Sequence, residues 1–377
     1  MDFAYTEEQN DLRELVAKIF TDLVPSDKLP AFEDPTDWFD DKLWEELASA
    51  GLLGIALPES VGGSDMGFTE LCILLEEAGR VVAPAPLVPT LVLGALPIAE
   101  FGTEEQKAAL LPDVTAGKAI LTAALADENS RDPLAPSTLA TRSSDGWTLN
   151  GVKAYVPIAS RAKTILVSAR TDDGRTLIAL VEPNASGLHT EAQETTTGEL
   201  EYRLTLSAVS VRDCDILGEK VDDGQMLAWL VARATTALCA TELGLAAKAL
   251  QMTAKYTSER KQFDKPIASF QAVAQRAGDA FIDLEALKLS TMQAVWRLSN
   301  GLPADREISI AKFWAAEGGH RICYAAQHLH GGIGVDTDYP LHHYYLRSRQ
   351  IELTLGGTNT HLAALGDRLA EHGPAAR

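Results

Sequence analysis

Cysteine is scarce. Cys72, Cys214, Cys239 and Cys323 are the only four in 377 residues, with no CxxC pair and no short spacing to histidine. That excludes a disulfide-framed fold and the usual zinc ligand spacings, and it suits a reducing cytosol. Positive charge is also short. Thirty-three Lys plus Arg stand against 53 Asp plus Glu, a net charge of −20, so most of the surface repels a phosphate backbone and nucleic acid is not an expected partner. Long clean apolar runs are missing as well. The most apolar windows are broken by Pro89 and Pro97 or by Arg233, short of the ~18 residues of a membrane span, so no membrane insertion is expected. The first segment, MDFAYTEEQNDLRELVAKIF, carries acids where a signal peptide would carry Lys or Arg. The expectation is a soluble, cytoplasmic protein.

What is present is ordinary globular material, 46% hydrophobic and 23% charged, enough for a sizeable core in two or three packed units or one large all-α assembly. Residues 1–118 read as helical. Leu12, Leu15, Val16 and Ile19 recur at three and four, Trp44, Leu47 and Leu52 mark a second helix, and Leu71 to Ala78 make a third that ends at Gly79. Ala85-Pro86 and Gly102-Thr103 punctuate two more. Over 119–222 the period falls to near 2. The segments WTLNGVKAYV, AKTILVSART, TLIALVEP and EYRLTLSAVSV read as short strands of a small antiparallel barrel or sandwich. Over 223–377 helical periodicity returns in long stretches, 226–258, 267–299, 305–330 and 338–354, which read as a helical bundle. No internal repeat or low-complexity tract interrupts this α, β, α order.

Three segments carry candidate chemistry. In ERKQFDKPIASFQ, Arg260 and Lys261 follow one long helix and Gln271 opens the next; the cations suit a phosphate and the amide a polar ring edge, and a solvated charged turn is the competing reading. In HLHGGIGV, Gly331 and Gly332 let a backbone approach a ligand or offer amides to a pyrophosphate. A plain helix-ending turn competes with that reading, and the fuller GxGxxG pattern of a Rossmann site is absent. His328 and His330 are two apart, on different helix faces, which argues against a metal site. LTLGGTNT adds a third glycine turn with the Thr358 and Thr360 hydroxyls.

The order of these segments resembles the acyl-CoA dehydrogenase flavoprotein family over nearly the whole chain. PESVGGSDMGFTELCILLEEAGR (58–80) is similar to that family's PE-x-x-GG turn and EE-x-GR helix. FGTEEQKAALLPDVTAGK (101–118) resembles its approach to the sheet domain, and DGWTLNGVKAYV its G-x-x-L-N-G-x-K strand. ERKQFDKPIASFQAV and QHLHGGIGVDTDYPLHHYY resemble its two most specific C-terminal signatures. The resemblance implies an α+β multidomain fold: an N-terminal α-helical domain (1–118), a central antiparallel β-barrel (119–222) and a C-terminal four-helix bundle (223–377), assembled as a tetramer or dimer. It implies FAD held between barrel and bundle and across a subunit interface. Arg260, Phe263 and Gln271 would contact a neighbouring subunit's FAD; Gln327, Gly331 and Gly332 would line its adenosine and pyrophosphate end, with Thr358 and Thr360 nearby. It also implies an acyl-CoA substrate and an electron-transferring flavoprotein as acceptor.

In that family a carboxylate removes the proton beside the thioester while the flavin takes a hydride from the next carbon, giving a 2-enoyl-CoA. Most members carry the base as the Glu of a Y-E-G-T turn, and the matching residue here is Gly356. A minority carry it on the first bundle helix, and counting back 29 residues from Phe263 lands on Ala234. Glu242 lies on the same helix, roughly 12 Å further along and about 80° around from that position. Glu352, four residues before Gly356, and Asp279 are other substitutes, each also readable as a structural or solvated acid. The T-E-P-x-x-G-S-D loop that touches flavin and acyl-CoA corresponds to Ala126–Asp132 and lacks its Thr. The turn covering the flavin ring corresponds to Tyr155–Ser160, where Pro157 removes a donor and Ser160 restores a hydroxyl. Arg131, Arg142, Arg161 and Arg170 are candidates for the CoA phosphates. Bacterial members built from two related chains, notably in sterol side-chain catabolism, divide base and FAD contacts between them, and a companion chain of such a heterotetramer would look like this one. The expected function is thus FAD-dependent α,β-dehydrogenation of an acyl-CoA. A non-catalytic FAD-clamping subunit is the alternative, and an oxidase on the same fold a third reading.

Overall fold

The computed structural model describes residues 3–25, 38–128, 130 and 132–373. In chain order the helices are α1 (Glu7–Leu23), α2 (Asp41–Ser49), α3 (Phe68–Arg80), a π-helical segment (Val88–Ala95) running into α4 (Leu96–Phe101), and α5 (Glu104–Thr115). Strands β1 (Ile120–Ala124), β2 (Leu139–Ser143), β3 (Gly146–Pro157), β4 (Ala162–Thr171), β5 (Thr176–Val181), β6 (Leu188–Gln193) and β7 (Glu201–Val211) come next. Then come α6 (Gln225–Glu259), a hairpin of β8 (Lys261–Gln262) and β9 (Lys265–Pro266), α7 (Gln271–Ser299), α8 (Asp305–Phe313), α9 (Gly319–His330), α10 (Leu341–Leu353) and α11 (Thr358–His372). The chain forms two compact units, one of residues 32–67 and 84–234, the other of 1–31, 68–83 and 235–377.

In the unit of residues 32–67 and 84–234, α5 starts where Thr103 and Gln106 form a reciprocal capping box. The Gln106 amide also donates to the carbonyls of Cys214 and Ile216 and accepts from the Gly218 N–H, so one side chain both caps the helix and ties it to the loop after β7. The seven strands form one sheet in the order β1-β4-β2-β3-β7-β6, with β5 on the free edge of β4. This corrects the expected antiparallel barrel in two respects. β1 and β2 both lie parallel to β4, at Ala162–Val167 and at Arg170–Thr171, and among the described residues the ladder does not close. The reason is that β4 presents one edge to β5 and shares the other, end to end, between two strands. β1, β2 and β6 escape sequence reading because β1 is buried along its whole length and shows no alternation, while β2 and β6 bury one residue and none, too few to mark a face.

A charged pair sits inside this unit. Lys153 is wholly buried and donates to Asp127 Oδ2 and Ser168 Oγ, each at 3.0 Å. Asp127 also accepts from the Ser137 and Thr138 N–H groups and the Thr138 hydroxyl. The aspartate therefore closes the 127–138 loop onto β3, while burial pulls the Lys153 ammonium down to about 8.

In the other unit α1 begins with a second capping box, Thr6 with Gln9, and buries Leu12, Val16 and Phe20. Leu15, read from the sequence as part of that face, is exposed. The decisive contact is between α3 and α6. A Cβ on Gly79 would stand 2.1 Å from the Thr241 carbonyl oxygen, and one on Gly244 would stand 1.7 Å from that of Glu76, so the two backbones touch where neither helix has a side chain. Glu76 and Glu77, buried beside this crossing, are held by Arg13 at 2.6 and 2.8 Å and by Arg80 at 3.3 and 3.2 Å. The EE-x-GR motif thus has a local explanation: two acids for two arginines and a glycine for close approach. The Tyr344 hydroxyl on α10 donates to the Arg80 carbonyl, satisfying the end of α3.

The α6 helix holds an 18-residue window apolar enough to cross a membrane despite Arg233, and 78% of that window is buried within the fold, as a core helix requires. A π-helical segment, Trp314–Gly318, joins α8 to α9 within the single helical stretch expected over 305–330. α11 adds a fifth rod to the four expected after 222; its surface is mostly exposed, so its apolar pattern is weak.

This packing has two measurable consequences for stability. Gly244→Ala forces a methyl into the α3 backbone and should cost more than the ~1–3 kcal/mol typical of overpacking, because helix backbone cannot rotate away; thermal unfolding measures it. Asp127→Ala strands the buried Lys153 ammonium and should cost about 3–5 kcal/mol. Lys153→Met leaves Asp127 with three donors and should cost less, which denaturant titration of the two variants would compare.

Candidate functional site

The first candidate segment is a tight hairpin. Arg260 leaves α6 with its N–H on the Tyr256 carbonyl and its own carbonyl accepting from Ile267, so the chain turns back within seven residues. Phe263 and Asp264 form the tip with positive φ, 53° and 63°, and Phe263 is 86% exposed, its ring meeting Phe270 edge-on at 6.3 Å. An aromatic residue held so far out in a left-handed conformation is costly. Arg260, directly before the hairpin, and Gln271, which opens α7 after it, are both exposed. The structure therefore groups Arg260, Phe263 and Gln271 on one projecting module.

The second segment ends α9. Gly331 and Gly332 are exposed, and a Cβ on either would meet nothing within 4 Å, so the space over this turn is open to a ligand. Gln327 is half-buried one turn earlier, its amide 3.5 Å from the Gly334 carbonyl. His330 is buried. Its ring stacks on Tyr256 at 4.4 Å, Nδ1 lies 2.8 Å from the Ala326 carbonyl, and Nε2 lies 3.2 Å from the Tyr339 hydroxyl; burial lowers its pKa, favouring the neutral ring. Because the Tyr256 carbonyl also bonds Arg260, this stack joins the two signatures. Sequence reading missed the pair, and the available signal was a histidine directly before a glycine turn. His328 is exposed, and among the described residues no group of three or more His, Cys, Asp or Glu could hold a metal ion.

The third segment is the turn between α10 and α11. Gly356 has φ +95°, and a Cβ there would lie 3.0 Å from Thr360 Cγ2 and 3.2 Å from His361 Nε2, so this backbone resists any side chain. Thr358 is half-buried with its hydroxyl 3.5 Å from Glu317, and Thr360 is exposed. Ala234 is fully buried. Glu352 pairs with Arg349 and lies 3.4 Å from His320. Asp279 is exposed on α7. Glu242 has no exposed surface, accepts the Ser348 hydroxyl at 2.7 Å, and is pushed up to about 8 by burial. It is built into the core, out of reach of a substrate in this conformation.

In the sheet-containing unit, Ser160 is exposed and its hydroxyl donates to the Tyr202 oxygen at 2.6 Å. Tyr155 and Ile158 beside it have positive φ, 54° and 49°. Arg142 pairs with Asp213 and lies over Trp147. Arg161 lies 3.7 Å from Asp41 and over the Phe39 ring. Arg170 is exposed. Asn129 and Arg131, within the candidate loop, lie outside the described residues.

An open glycine turn, an exposed arginine, a projecting aromatic ring and an exposed amide are the donor set that a pyrophosphate joined to planar rings requires, and FAD fits it. Comparison with known proteins agrees. Residues 6–118 match the family described as acyl-CoA dehydrogenase, N-terminal domain, and residues 226–370 match acyl-CoA dehydrogenase, C-terminal domain. The acyl-CoA dehydrogenase FadE27 of Mycobacterium tuberculosis is 36% identical over 98% of this chain and 99% of its own length. The ChsE4-ChsE5 complex from Mycobacterium tuberculosis superposes with a TM-score of 0.91 at 37% identity, covering 100% of both chains. A G363A variant of the Tcur3481-Tcur3483 steroid ACAD does so with 0.89 at 46% identity, covering 97% of this chain and 98% of that one. Both ends of the sequence and a relative matched along nearly its entire length place the chain in the acyl-CoA dehydrogenase family, FAD-dependent oxidoreductases acting on the CH–CH bond of acyl-CoA thioesters.

Proposed function

We propose that this chain is one half of a heteromeric acyl-CoA dehydrogenase: it contributes FAD contacts, and a related chain contributes the base that removes the proton. One observation carries the reading. The two positions where the family carries its carboxylate hold Gly356 and buried Ala234, while Glu242 is sealed in the core and Glu352 is engaged by Arg349. The two-chain composition in the names of the ChsE4-ChsE5 and Tcur3481-Tcur3483 relatives supports it. Exposed Phe281, Ile282 and Leu289 on α7, with Leu362 and Leu369 on α11, are apolar surface of the kind that assembly covers. The steroid relative favours a bulky, ring-containing acyl group as substrate. A cytoplasmic setting, a tetrameric assembly, an electron-transferring flavoprotein as acceptor and domain boundaries near 118 and 222 belong to the same reading.

When bound, FAD supplies hydride acceptance. The residues of this chain bind and orient. Arg260 would hold the pyrophosphate, a charge-assisted contact for which its planar guanidinium fork suits phosphate oxygens. Gly331 and Gly332 would offer backbone amides to the same charge, the space over them being open. Phe263 would offer an apolar face to a ring system, and Gln271 and Gln327 would hydrogen-bond its polar edges. Thr358 and Thr360 offer hydroxyls at the third turn, and Ser160, its hydroxyl hydrogen already given to Tyr202, offers an acceptor. Arg170 is exposed on β4 and leads the candidates for a CoA phosphate, since Arg142 and Arg161 face Asp213 and Asp41.

The test is the visible spectrum of the chain purified alone and after co-expression with a related acyl-CoA dehydrogenase chain. Flavin should appear in stoichiometric amount only in the co-purified complex, and acyl-CoA should bleach it. A yellow chain that bleaches by itself overturns the reading. In the complex, Arg260→Ala should weaken flavin binding about tenfold or more, the loss of one charge-assisted hydrogen bond, measured by flavin fluorescence on dilution.

A further inference from the structure

A second buried lysine stands in the unit formed by residues 1–31, 68–83 and 235–377, and it is not paired as Lys153 is. Lys312 on α8 is fully buried, and its ammonium donates to two backbone carbonyls, Ile351 at 2.7 Å and Glu352 at 3.1 Å. These are among the last four carbonyls of α10, which have no partner within their own helix. A surface lysine caps a helix end without losing hydration; placing the cation inside the fold costs several kcal/mol, on the order of that for any desolvated ion. One turn earlier, Ser348 on the same helix gives its hydroxyl to Glu242 of α6. Glu242 Oε2 is buried without a hydrogen-bond partner among the described residues, and a Cβ on Gly319, at the start of α9, would stand 2.2 Å from Glu242 Oε1. The end of α10 is therefore tied to α8 through Lys312 and to α6 through Ser348.

Immediately after α10 the chain enters the Thr354–Gly357 turn, with Leu355 and Gly356 both at positive φ, 56° and 95°. It is also tied by the Thr354 N–H and hydroxyl, both on the Gln350 carbonyl, by His361 Nε2, 3.1 Å from the Leu355 carbonyl, and by the His361 N–H on the Gly357 carbonyl. We propose that Lys312, Ser348 and Glu242 are positioning residues that fix the end of α10 and hence the register of this turn, holding Thr358 and Thr360 where a cofactor would meet them. The last clause rests on the proposed flavin reading; the ordering of the turn does not.

The ionisable groups facing Glu242 are Lys312 of α8, Cys239 of α6, Cys323 of α9 and Glu352 of α10; those facing Lys312 are Cys239, Glu242, Glu352 and His361. Burial raises Glu242 from 4.5 to about 8 and lowers Lys312 from 10.5 to about 8. Between pH 4.5 and 8 the folded state holds a proton on Glu242 that the unfolded chain has lost, so stability falls as pH rises. Above 8 the Lys312 contribution turns the slope upward, since the unfolded chain then holds the extra proton until 10.5. A neutral Glu242 is matched in shape and charge by glutamine.

Hydrogen–deuterium exchange of the full chain as it purifies, alone or with a related chain, tests this with Lys312→Met, Ser348→Ala and Glu242→Gln. Lys312→Met should speed exchange of amides 351–361 by about tenfold or more while α7 and α9 keep theirs. If that variant does not fold, Ser348→Ala, which removes only a hydroxyl, carries the same test with a smaller local rise. Glu242→Gln should leave the turn protected and flatten the fall in melting temperature toward pH 8. Unchanged exchange at 351–361, or a rise spread evenly over the unit, overturns the proposal, as does a Glu242→Gln variant that loosens the turn as much as Lys312→Met. A local rise with unaltered flavin content upholds the positioning role and overturns instead the assignment of Thr358 and Thr360 to flavin.

Discussion

Two glycines govern one of the two units. Because Gly79 and Gly244 bring α3 and α6 into backbone contact, the side chains flanking the crossing cannot point at the partner helix and must leave sideways. Glu76 and Glu77 do so, and buried carboxylates displaced this way need cations, which Arg13 and Arg80 provide from α1 and from α3 itself. The contact also sets how α6 lies over its neighbours, and α6 carries both Glu242, two residues before the crossing glycine, and Tyr256, twelve after it. A helix fixed at one backbone contact transmits that placement along its length at ~1.5 Å per residue. The His330–Tyr256 stack then converts it into the placement of the glycine turn.

The two buried lysines show how differently a desolvated cation can be used. Lys153 meets a carboxylate whose remaining lone pairs are filled by backbone and hydroxyl donors, the arrangement in which a buried pair recovers most of its desolvation cost. Lys312 meets carbonyls instead, at a helix end where the partial negative charge of the backbone dipoles accumulates. The first closes a loop onto a strand, and the second holds the end of a helix whose next residues form a strained turn. Both lysines are among the largest wholly buried side chains, yet neither would be singled out by hydropathy, which places lysine outside.

The alternation of helical, extended and helical segments was legible in the sequence, since periodicity reflects which face of each element must be buried. The sequence also marked the ERKQFDKPIASFQ segment between two long helices, the glycine turn after His330, and the absence of a carboxylate at Gly356 and Ala234, because motif residues and their spacing are linear information. The mixed strand directions, and the open ladder among the described residues, came from the tertiary contacts, because strand direction depends on which edges meet and composition carries no record of that. Only the tertiary structure decided that Glu242 is sealed in the core while Glu352 is claimed by Arg349, and that Tyr256 and His330, 74 residues apart, stack to join two signatures. A residue type states what chemistry is available; burial and partners, set by contacts distant in the chain, decide which of it remains free.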